Sequence, residues 1–406
     1  MYFWWIFNVV DWFLFVIVAF TVAYFLVFAV ASLFKHRNGV KKAKAQHRFI
    51  VLIPSYKQDE VIRKTVNSVL GQAYPQRMFD VVVISDHESE VTNMQLAQLP
   101  VTLLTPNFKE SSKAKSLQYA VLNLPKFKIY DAVLVLDAGN IIKPEYLEEV
   151  NNAYATSGTK AIQTHRLSAN RDTPSARLDS IFEEINNAVF RRGHQVMGLS
   201  ASLNGSGIVF DFQWFKENIM KVRPTIGEDK ALEALLMRDN IYVDYFEDII
   251  VYDEKTRGIK QFNEQRSRWI YTQMHAMVSN LRFLPTALFN RHYDHVDKIV
   301  QWMLLPRTVL MGVIALMSVV VPFIYLTPAI KWWVVAAVIV FAFSLATPDY
   351  LVDKNWDMDF LRAPLVSLGG LFNIFRAGKN EATDRVGSAT RWVAGLGKKK
   401  KKRKKK

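Results

Sequence analysis

The sequence predicts an α/β domain with a mostly parallel sheet, set between apolar segments long enough to cross a membrane. The first observation is an uncharged run of 23 residues, Trp12–Phe34, with two further apolar runs near the other end of the chain. The second is the stretch of roughly 250 residues between these runs, where short Val- and Ile-rich segments alternate with helix-like ones. Continuous apolar strands separated by helices are typical of a sheet that is covered on both faces.

The strands and helices of this domain, residues 49–280, follow from that alternation. A ligand of such a sheet binds at the carboxyl ends of the strands, so the residues after each strand are the first candidates for a site. The predicted strands are Phe49–Pro54, Phe79–Ser85, Val101–Leu104 and Ala132–Leu136, and the predicted helices between them are Val61–Leu70 and Lys113–Leu122.

Composition excludes several classes of protein. The 406 residues are 50% hydrophobic, with 52 Lys and Arg against 37 Asp and Glu and no Cys. This apolar fraction excludes a disordered chain, and the missing Cys excludes disulfide scaffolds and thiolate metal centres. Residues 398–406 are all basic, and without them 43 basic residues face 37 acidic ones. The net charge of +15 is therefore mostly a polybasic tail, and no nucleic-acid partner is expected, because this tail contains no aromatic residues.

Residues 1–34 are expected to form an N-terminal transmembrane helix, because 23 apolar residues suffice to cross roughly 30 Å of hydrocarbon. The alternative, a cleaved signal peptide, is disfavoured by the length of the run and by the absence of basic residues before it. Residues 304–352 are expected to form a transmembrane hairpin of Thr308–Ile330 and Trp332–Pro348. Pro328 and Lys331 would mark its turn.

The remaining segments are assigned by charge and length. Residues 35–48 form a basic juxtamembrane linker and residues 281–303 an interfacial segment. Residues 353–397 contain an apolar stretch, Ala363–Phe375, that is too short to span and is expected to be interfacial or re-entrant. The polybasic tail either is a solvated end or contacts anionic headgroups.

The distribution of basic residues predicts the orientation in a cell membrane. Six Lys and Arg follow the first apolar run within residues 35–48, and none precedes it. By the positive-inside rule the N-terminus lies outside and the α/β domain lies in the cytoplasm, as in an inner-membrane protein. The hairpin then returns the basic tail to the same side.

Carboxylates gather after the predicted strands. Pro54 ends the first strand and is followed by Tyr56 and Glu60, Asp86 follows the second strand, and Asp137 follows the fourth. Helix N-caps and solvated loops would explain any one of them. Together they suit a divalent cation that holds a phosphate, or hydrogen bonds to a sugar and a base. The sequence contains no P-loop, Rossmann or His-Glu-x-x-His motif.

Two later features add polar groups with a definite geometry. Glu228 and Asp229 open a predicted helix, where they complement the helix dipole or supply a general base. Gln265, Arg268 and Trp269 lie at positions i, i+3 and i+4, on one face of a helix. An amide, a guanidinium and an indole side by side suit a pyrophosphate and a sugar ring. The alternative is an amphipathic helix with its Trp at the membrane interface.

In this order, the motifs resemble those of the membrane-bound family 2 glycosyltransferases, the group that contains cellulose, chitin, hyaluronan and poly-N-acetylglucosamine synthases. The resemblance covers residues 45–280 and the flanking apolar runs. It implies a GT-A fold for residues 49–280, a nucleotide-sugar donor and an inverting transfer. The matching segments are Val51–Glu60, the Asp86 loop, Ser112–Lys115, the Asp137 loop, Glu228–Asp229 and the Gln-x-x-Arg-Trp motif at Gln265–Trp269.

The resemblance also implies roles for residues. On the donor side, Asp86 would read a uridine-like moiety and Asp137 would hold the diphosphate through Mg²⁺ or Mn²⁺. The donor-side residues are Pro54, Tyr56, Glu60, Asp86, Lys113 and Asp137. On the acceptor side, Asp229, beside Glu228, would deprotonate the acceptor hydroxyl. Gln265 and Arg268 would steady the leaving diphosphate, and Trp269 would form the floor of the acceptor site.

Two departures from the family pattern affect these expectations. Gly139 stands where the family usually has a second Asp, which removes a metal ligand. Asn140 or water would have to complete the metal shell. The usual Asn-Glu is Lys57-Gln58 here, which changes the charge beside the nucleotide. The loop Asn204–Gly207 would face the acceptor in this resemblance, or is simply a glycine-rich turn before a strand.

Three hypotheses about function remain. The first is a processive synthase that extends a β-linked polysaccharide; with three spans it would need dimerisation, the Ala363–Phe375 segment or a partner subunit to form a channel. The second is the transfer of one sugar to a membrane lipid. The third, from another class, is a catalytically inactive binding module, which only the departures at Gly139 and Gln58 favour.

Overall fold

The computed structural model describes residues 2–34, 39–125, 127–223, 227–255, 259–324 and 326–352. The predictions for the Ala363–Phe375 segment and for the polybasic tail at 398–406 lie outside these residues, as does part of the basic linker.

An eight-stranded mixed sheet forms the centre of the domain, in the order β3-β2-β1-β4-β7-β6-β8-β5. Strands β1 to β4 are parallel neighbours, whereas β7 runs antiparallel to both β4 and β6, and β5 antiparallel to β8. The predicted α/β domain is confirmed, and its sheet is mixed rather than mostly parallel, because three of its seven strand pairings are antiparallel. The strands are β1 (Phe49–Tyr56), β2 (Phe79–Asp86), β3 (Thr102–Leu104), β4 (Ala132–Val135), β5 (Asn140–Ile142), β6 (Ala161–Ser168), β7 (Ile208–Asp211) and β8 (Val243–Asp253).

Helices cover both faces of the sheet. Several begin at a side-chain cap; Ser112, for example, accepts a hydrogen bond from the Lys115 N–H and starts α4. A π-helical turn at Ala188–Gly193 joins α6 to α7. The helices are α1 (Tyr2–Ala31), α2 (Ile62–Leu70), α3 (Glu90–Ala97), α4 (Lys113–Asn123), α5 (Tyr146–Ser157), α6 (Pro174–Asn187), α7 (His194–Val196), α8 (Phe212–Ile219), α9 (Glu228–Arg238), α10 (Ile259–Asn280), α11 (Leu284–Phe289), α12 (Tyr293–Met303), α13 (Arg307–Val320) and α14 (Leu326–Ala346).

Burial on both faces explains why strand β1 is apolar at every position from Phe49 to Pro54. Ile50 and Leu52 pack on one face of the sheet with residues of α4, α8 and α9. Phe49, Val51 and Ile53 pack on the other face with residues of α2 and α5. Because successive strand residues point to opposite faces, a strand buried on both sides has no polar position to alternate with.

Two described helices, Trp4–Ala31 within α1 and α14, are long and apolar enough to span a membrane. A third candidate is the pair α12 and α13, which is bent by 53°. The predicted turn at Pro328 and Lys331 is wrong, because both residues lie inside α14. Proline is tolerated in the first turn of a helix, where its missing N–H has no intrahelical acceptor.

The apolar helices pack on the domain rather than standing apart from it. Phe25 of α1 and Phe343 of α14 join a buried cluster with Ile185 of α6 and Val189 of the π-helical turn. Gly193 lies against α1, where a Cβ atom would come within 2.3 Å of the Phe28 carbonyl oxygen. Helix α1 is therefore held directly against the domain that carries the strand ends.

Candidate active site

A cavity of about 540 Å³ lies at the carboxyl end of β4. It is bordered by α4, α9, α10 and the loop before β7, and it extends to Phe25 of α1 and to Leu305 and Arg307 at the start of α13. Six of the residues expected from the sequence line it: Lys113, Asp137, Glu228, Asp229, Gln265 and Trp269.

Lys113 stands at the centre of the polar part of the cavity. Its Nζ donates to Asp137 Oδ1 and to the Gly205 carbonyl oxygen, both at 2.5 Å, and lies 3.4 Å from Glu228 Oε1. Burial alone would lower the pKa of this ammonium, but the charges of Asp137 and Glu228 outweigh burial and raise the pKa to about 12. Lys113 is therefore a permanent cation at neutral pH.

The loop at residues 204–207 organises Asp137. The Asp137 N–H donates to Ser206 Oγ at 2.9 Å, and the Gly205 carbonyl receives Lys113. Gly205 and Gly207 have positive φ values of 83° and 64°, which glycine adopts without strain. Asn204 and Gly205 both line the cavity. The loop is therefore more than a glycine-rich turn before a strand. It also forms the wall of the cavity opposite α4.

Glu228 and Asp229 stand at the first turn of α9, as the sequence predicts. The preceding Gly227 has φ +89°, and its α-carbon faces Thr272 of α10. Burial raises the pKa of Glu228, against the opposing effect of Lys113. Glu228 therefore retains its proton more readily than an exposed carboxyl group would, and the neighbouring Asp229 side chain lines the same cavity.

Helix α10 carries the Gln265–Trp269 motif, so the prediction that this motif is helical is confirmed. Gln265 and Trp269 line the cavity, and the Trp269 ring is partly exposed there. Beneath it lies Arg266, whose guanidinium is 4.7 Å from the ring centroid and is paired with Asp179. Arg268 lies on the same helix, and its side chain is outside the described residues.

The remaining donor-side residues form a neighbouring group that does not line this cavity. Tyr56 and Asp86 are register partners at the ends of β1 and β2. Tyr56 is exposed, and Asp86 is buried, with one oxygen 2.6 Å from His87 Nδ1 and Oδ2 without a hydrogen-bond partner among the described residues. Pro54 lies in β1, and Glu60 is exposed in the following turn.

The sequence assigned no role to Glu88, which shapes the loop after β1. Its carboxylate accepts from Ser55 Oγ at 2.7 Å and from the Gln58 N–H at 2.8 Å. The Lys57-Gln58 departure from the family pattern therefore sits in a loop that Glu88 holds from the next strand. Glu88 directly follows Asp86 and His87 in the sequence. The signal that could have identified it was a second carboxylate after the same strand.

A buried charge cluster that lines the cavity through Arg166, Glu183 and Asn204 was also missed. Arg166 of β6 donates to Asp253 Oδ2 at 2.6 Å and to Asn204 Oδ1 at 2.9 Å. Glu183 accepts from Asn204 Nδ2 at 3.0 Å and lies 3.4 Å from the Lys255 ammonium. The pKa of Glu183 is held well below its usual range: burial opposes this, but Lys255 and Arg166 outweigh it. These residues are far apart in the sequence and belong to no motif, so no local signal joined them.

The residues at the Asp137 loop do not fit the expected divalent cation. Gly139 supplies no side chain, and Asp137 Oδ1 is held by an ammonium. Asn140 is fully buried; its amide donates to Asp253 Oδ1 at 2.8 Å and accepts from Ser206. Across the described part of the chain, no group of three or more His, Cys, Asp and Glu is placed to hold a metal ion.

The model of the family "Glycosyltransferase like family 2" matches residues 47–272. Among solved structures, a mannosyltransferase from Pyrobaculum calidifontis in complex with GDP-Man and Mn²⁺ is 16% identical, with a TM-score of 0.48, over 79% of this chain and 98% of its own. TarS residues 1–349 from S. aureus are 14% identical, with a TM-score of 0.43, over 82% and 92%. No curated protein sequence matches the chain.

Proposed function

This chain belongs to the glycosyltransferases of family 2, and on that premise we propose that it transfers a sugar from a UDP-linked donor to an acceptor hydroxyl with inversion at the anomeric carbon. The observation that carries the proposal is the placement of an ammonium, Lys113, and a carboxylate pair, Glu228 and Asp229, around one cavity. An in-line displacement needs a base on the acceptor side and a cation on the leaving side, and the cavity offers both.

In the proposed reaction, Asp229 takes the proton of the acceptor hydroxyl while its oxygen attacks the anomeric carbon. The bond from that carbon to the diphosphate oxygen breaks, and the electron pair leaves with the nucleoside diphosphate. Lys113 stabilises the added negative charge. Gln265 and Arg268 assist at the diphosphate, and the partly exposed ring of Trp269 forms an apolar floor for the acceptor sugar.

Tyr56 and Asp86 support the assignment of the nucleobase end. They are paired at the carboxyl ends of adjacent parallel strands, where sheets of this kind bind ligands. The unpartnered buried oxygen of Asp86 suits an N–H donor such as the imide of a uracil. Pro54 and Glu60 flank this position, with Pro54 in β1 and Glu60 on the exposed turn.

For the acceptor we propose a growing β-linked polysaccharide, which the Gln265–Trp269 motif favours. A second candidate, a membrane lipid, is favoured by the extent of the cavity, which reaches Phe25 of α1 and Leu305 beside α13. Analysis of the product length with purified enzyme separates the two. A ladder of oligomers supports the synthase, and a single addition supports the lipid acceptor.

The proposed location is a cell membrane, with α1 and α14 as spans, the N-terminus outside and residues 49–280 in the cytoplasm. The apolar lengths of the two helices and the basic residues after α1 support it. A polymer product would require more channel-lining surface than the described spans offer, so the synthase is proposed to act as a homo-oligomer or with a partner subunit.

Asp229→Asn tests the reaction. We expect loss of turnover by about 10³-fold with UDP binding retained, because the variant keeps its shape and loses only the proton acceptor. Glu228→Gln is the matched comparison on the same helix and should reduce turnover less. Nucleotide release from UDP-glucose, UDP-N-acetylglucosamine and GDP-mannose is the measurement. Unchanged turnover in Asp229→Asn would exclude the assigned base.

A further inference from the structure

We propose that this transferase needs no divalent cation, and that the Lys113 ammonium takes the place of the metal in neutralising the leaving nucleoside diphosphate. The inference rests on the proposed function, because it concerns the donor end of the same reaction. The residues that support it are those around Asp137, namely Gly139, Asn140 and Lys113.

Position 139 cannot readily carry the second carboxylate of a metal loop. Gly139 has φ +95°, a backbone conformation in which any side chain is strained. Its N–H donates to Thr65 Oγ1 at 2.9 Å, which holds the loop in that conformation. The glycine is thus part of the shape of the loop, and an aspartate there would have to change that shape.

Asn140 does not replace the missing ligand. Its side chain is fully buried, and both its amide groups are occupied, the nitrogen by Asp253 and the oxygen by Ser206. Asp253 is in turn bound by the Arg166 guanidinium and, at 3.0 Å, by the Lys255 ammonium. Turning the Asn140 amide toward a cation would therefore break its hydrogen bond to Asp253, which belongs to a buried charge cluster.

Lys113 already places a positive charge on one of the two carboxylate oxygens of Asp137. Its Nζ bridges the Asp137 carboxylate and the Gly205 carbonyl, with Glu228 at 3.4 Å. A divalent ion bound to Asp137 would displace this ammonium or lie directly beside it. In the second case the two positive charges would repel each other, and burial strengthens that repulsion. The ammonium is a compact charge with three donors, so it can exchange one partner for a phosphate oxygen without leaving the cavity.

The chemistry balances without a co-reactant. The anomeric carbon–oxygen bond to the diphosphate breaks, and the pair of electrons stays on the phosphate oxygen. The acceptor proton moves to Asp229. Lys113 remains protonated throughout and donates hydrogen bonds to the departing diphosphate, so the charge that a metal would supply comes from the protein.

The test uses the full chain purified in detergent and stripped with EDTA. We expect turnover of the nucleotide-sugar donors in EDTA to equal that in Mg²⁺ or Mn²⁺ within about twofold, since no step uses the metal. Lys113→Met should lower turnover by about 10²–10³-fold, the cost of removing one charge-stabilising donor, and neither metal should restore it. Lys115→Met is the matched control, because Lys115 lies on the same helix and its ammonium contacts only the exposed Glu110 carbonyl among the described residues.

Binding of UDP and GDP, measured by calorimetry, gives a second result that does not depend on the acceptor. The affinity should be unchanged by EDTA and weakened by Lys113→Met but not by Lys115→Met. Turnover that is abolished by EDTA and restored by Mn²⁺, with UDP bound only in the presence of metal, would overturn the inference and leave the proposed transfer standing. Absence of both nucleotide binding and turnover, with or without metal, would overturn the proposed function and the inference with it.

Discussion

The indole N–H of Trp332 donates a hydrogen bond to Asp11 Oδ1 at 2.8 Å, and this bond joins the last described apolar helix to the first. Asp11 is only 2% exposed. The adjacent Lys331 completes the contact: its ammonium pairs with Asp11 Oδ2 and lies 3.9 Å from the centre of the Trp12 ring. Charged side chains in apolar spans are costly unless they pair in this way.

Breaking this pair is expected to destabilise the packing of α1 on α14. Lys331→Met leaves the Asp11 carboxylate buried beside Trp332 without its cation, which costs about 3–5 kcal/mol. The double variant Asp11→Leu with Lys331→Met removes both charges and should recover much of that loss. Thermal unfolding in detergent measures both effects, with the exposed Asp349→Asn as control.

If the double variant were as unstable as Lys331→Met alone, the loss would come from packing around the Lys331 side chain. The charge pair would then not be what joins the two helices.

A second prediction concerns the junction between α9 and α10. A Cβ atom at Gly227 would lie 2.2 Å from Thr272 Cγ2, and φ at this position is +89°. Gly227→Ala should therefore push the start of α9, with Asp229, away from the helix of Gln265 and Trp269. We expect turnover to fall by about 10–100-fold, since small displacements of reacting groups are costly.

Thr272→Ser provides the matched rescue, because it removes the clashing methyl group and keeps the hydroxyl. In the Gly227→Ala background it should restore part of the turnover; the strain of the positive φ remains. Steady-state kinetics of the four proteins makes the comparison. Wild-type turnover in Gly227→Ala alone would show that the carboxylates do not depend on this contact.

A third prediction concerns a buried ion pair between α9 and α12. Lys298 Nζ is 3.5 Å from Glu233 Oε1, and both side chains are completely buried. Lys298 also donates to Ser202 Oγ at 3.1 Å, and Glu233 accepts from the Leu203 N–H at 2.9 Å. The pair therefore holds the chain that leads into the loop at residues 204–207.

Glu233→Gln and Lys298→Met should each destabilise the protein. The destabilisation of the double variant should be smaller than the sum of the two single effects. A coupling of at least about 1 kcal/mol is expected for partners that share one buried network. Chemical unfolding of the four members of the cycle gives the value. Lys216→Met, an exposed lysine, serves as control, and strictly additive effects would show that the two residues act independently.

The sequence predicted well those features that depend on neighbours in the chain. The strands from Phe49 and Phe79 were recognised because residues buried on both faces must be apolar throughout. The helical position of the motif at Gln265–Trp269 was predicted because its spacing matches one helix face, and the motif lies in α10.

The features that were missed depend on contacts between distant segments. The turn at Pro328 was predicted wrongly because proline breaks a helix at interior positions but is tolerated in the first turn. The sequence alone did not show that α14 begins just before Pro328. The contacts of Lys113 with Asp137 and Gly205 join residues that are 24 and 92 positions apart. Nor could the sequence show that the Asn140 amide, one of the groups expected to complete a metal shell, is already bound to Asp253.

The last prediction concerns the pH dependence of stability through His165 in β6. Its Nε2 is 2.9 Å from Glu184 Oε1, and its Nδ1 is 3.0 Å from the Glu247 carbonyl oxygen. Burial opposes the charged ring, but the hydrogen bond and charge of Glu184 outweigh burial and raise the pKa of His165. The folded protein therefore binds this proton more tightly than the unfolded chain does. The resulting stabilisation is fully present below the unfolded pKa of about 6.5 and is lost as the pH rises through the folded pKa.

His165→Gln should thus be less stable than the wild type at pH 5.5, and the difference should shrink from pH about 6.5 upward. Unfolding temperatures from pH 5 to 9 measure it, with the exposed His275→Gln as control. Parallel curves for His165→Gln and the wild type would mean that the His165–Glu184 contact does not bind a proton in this range.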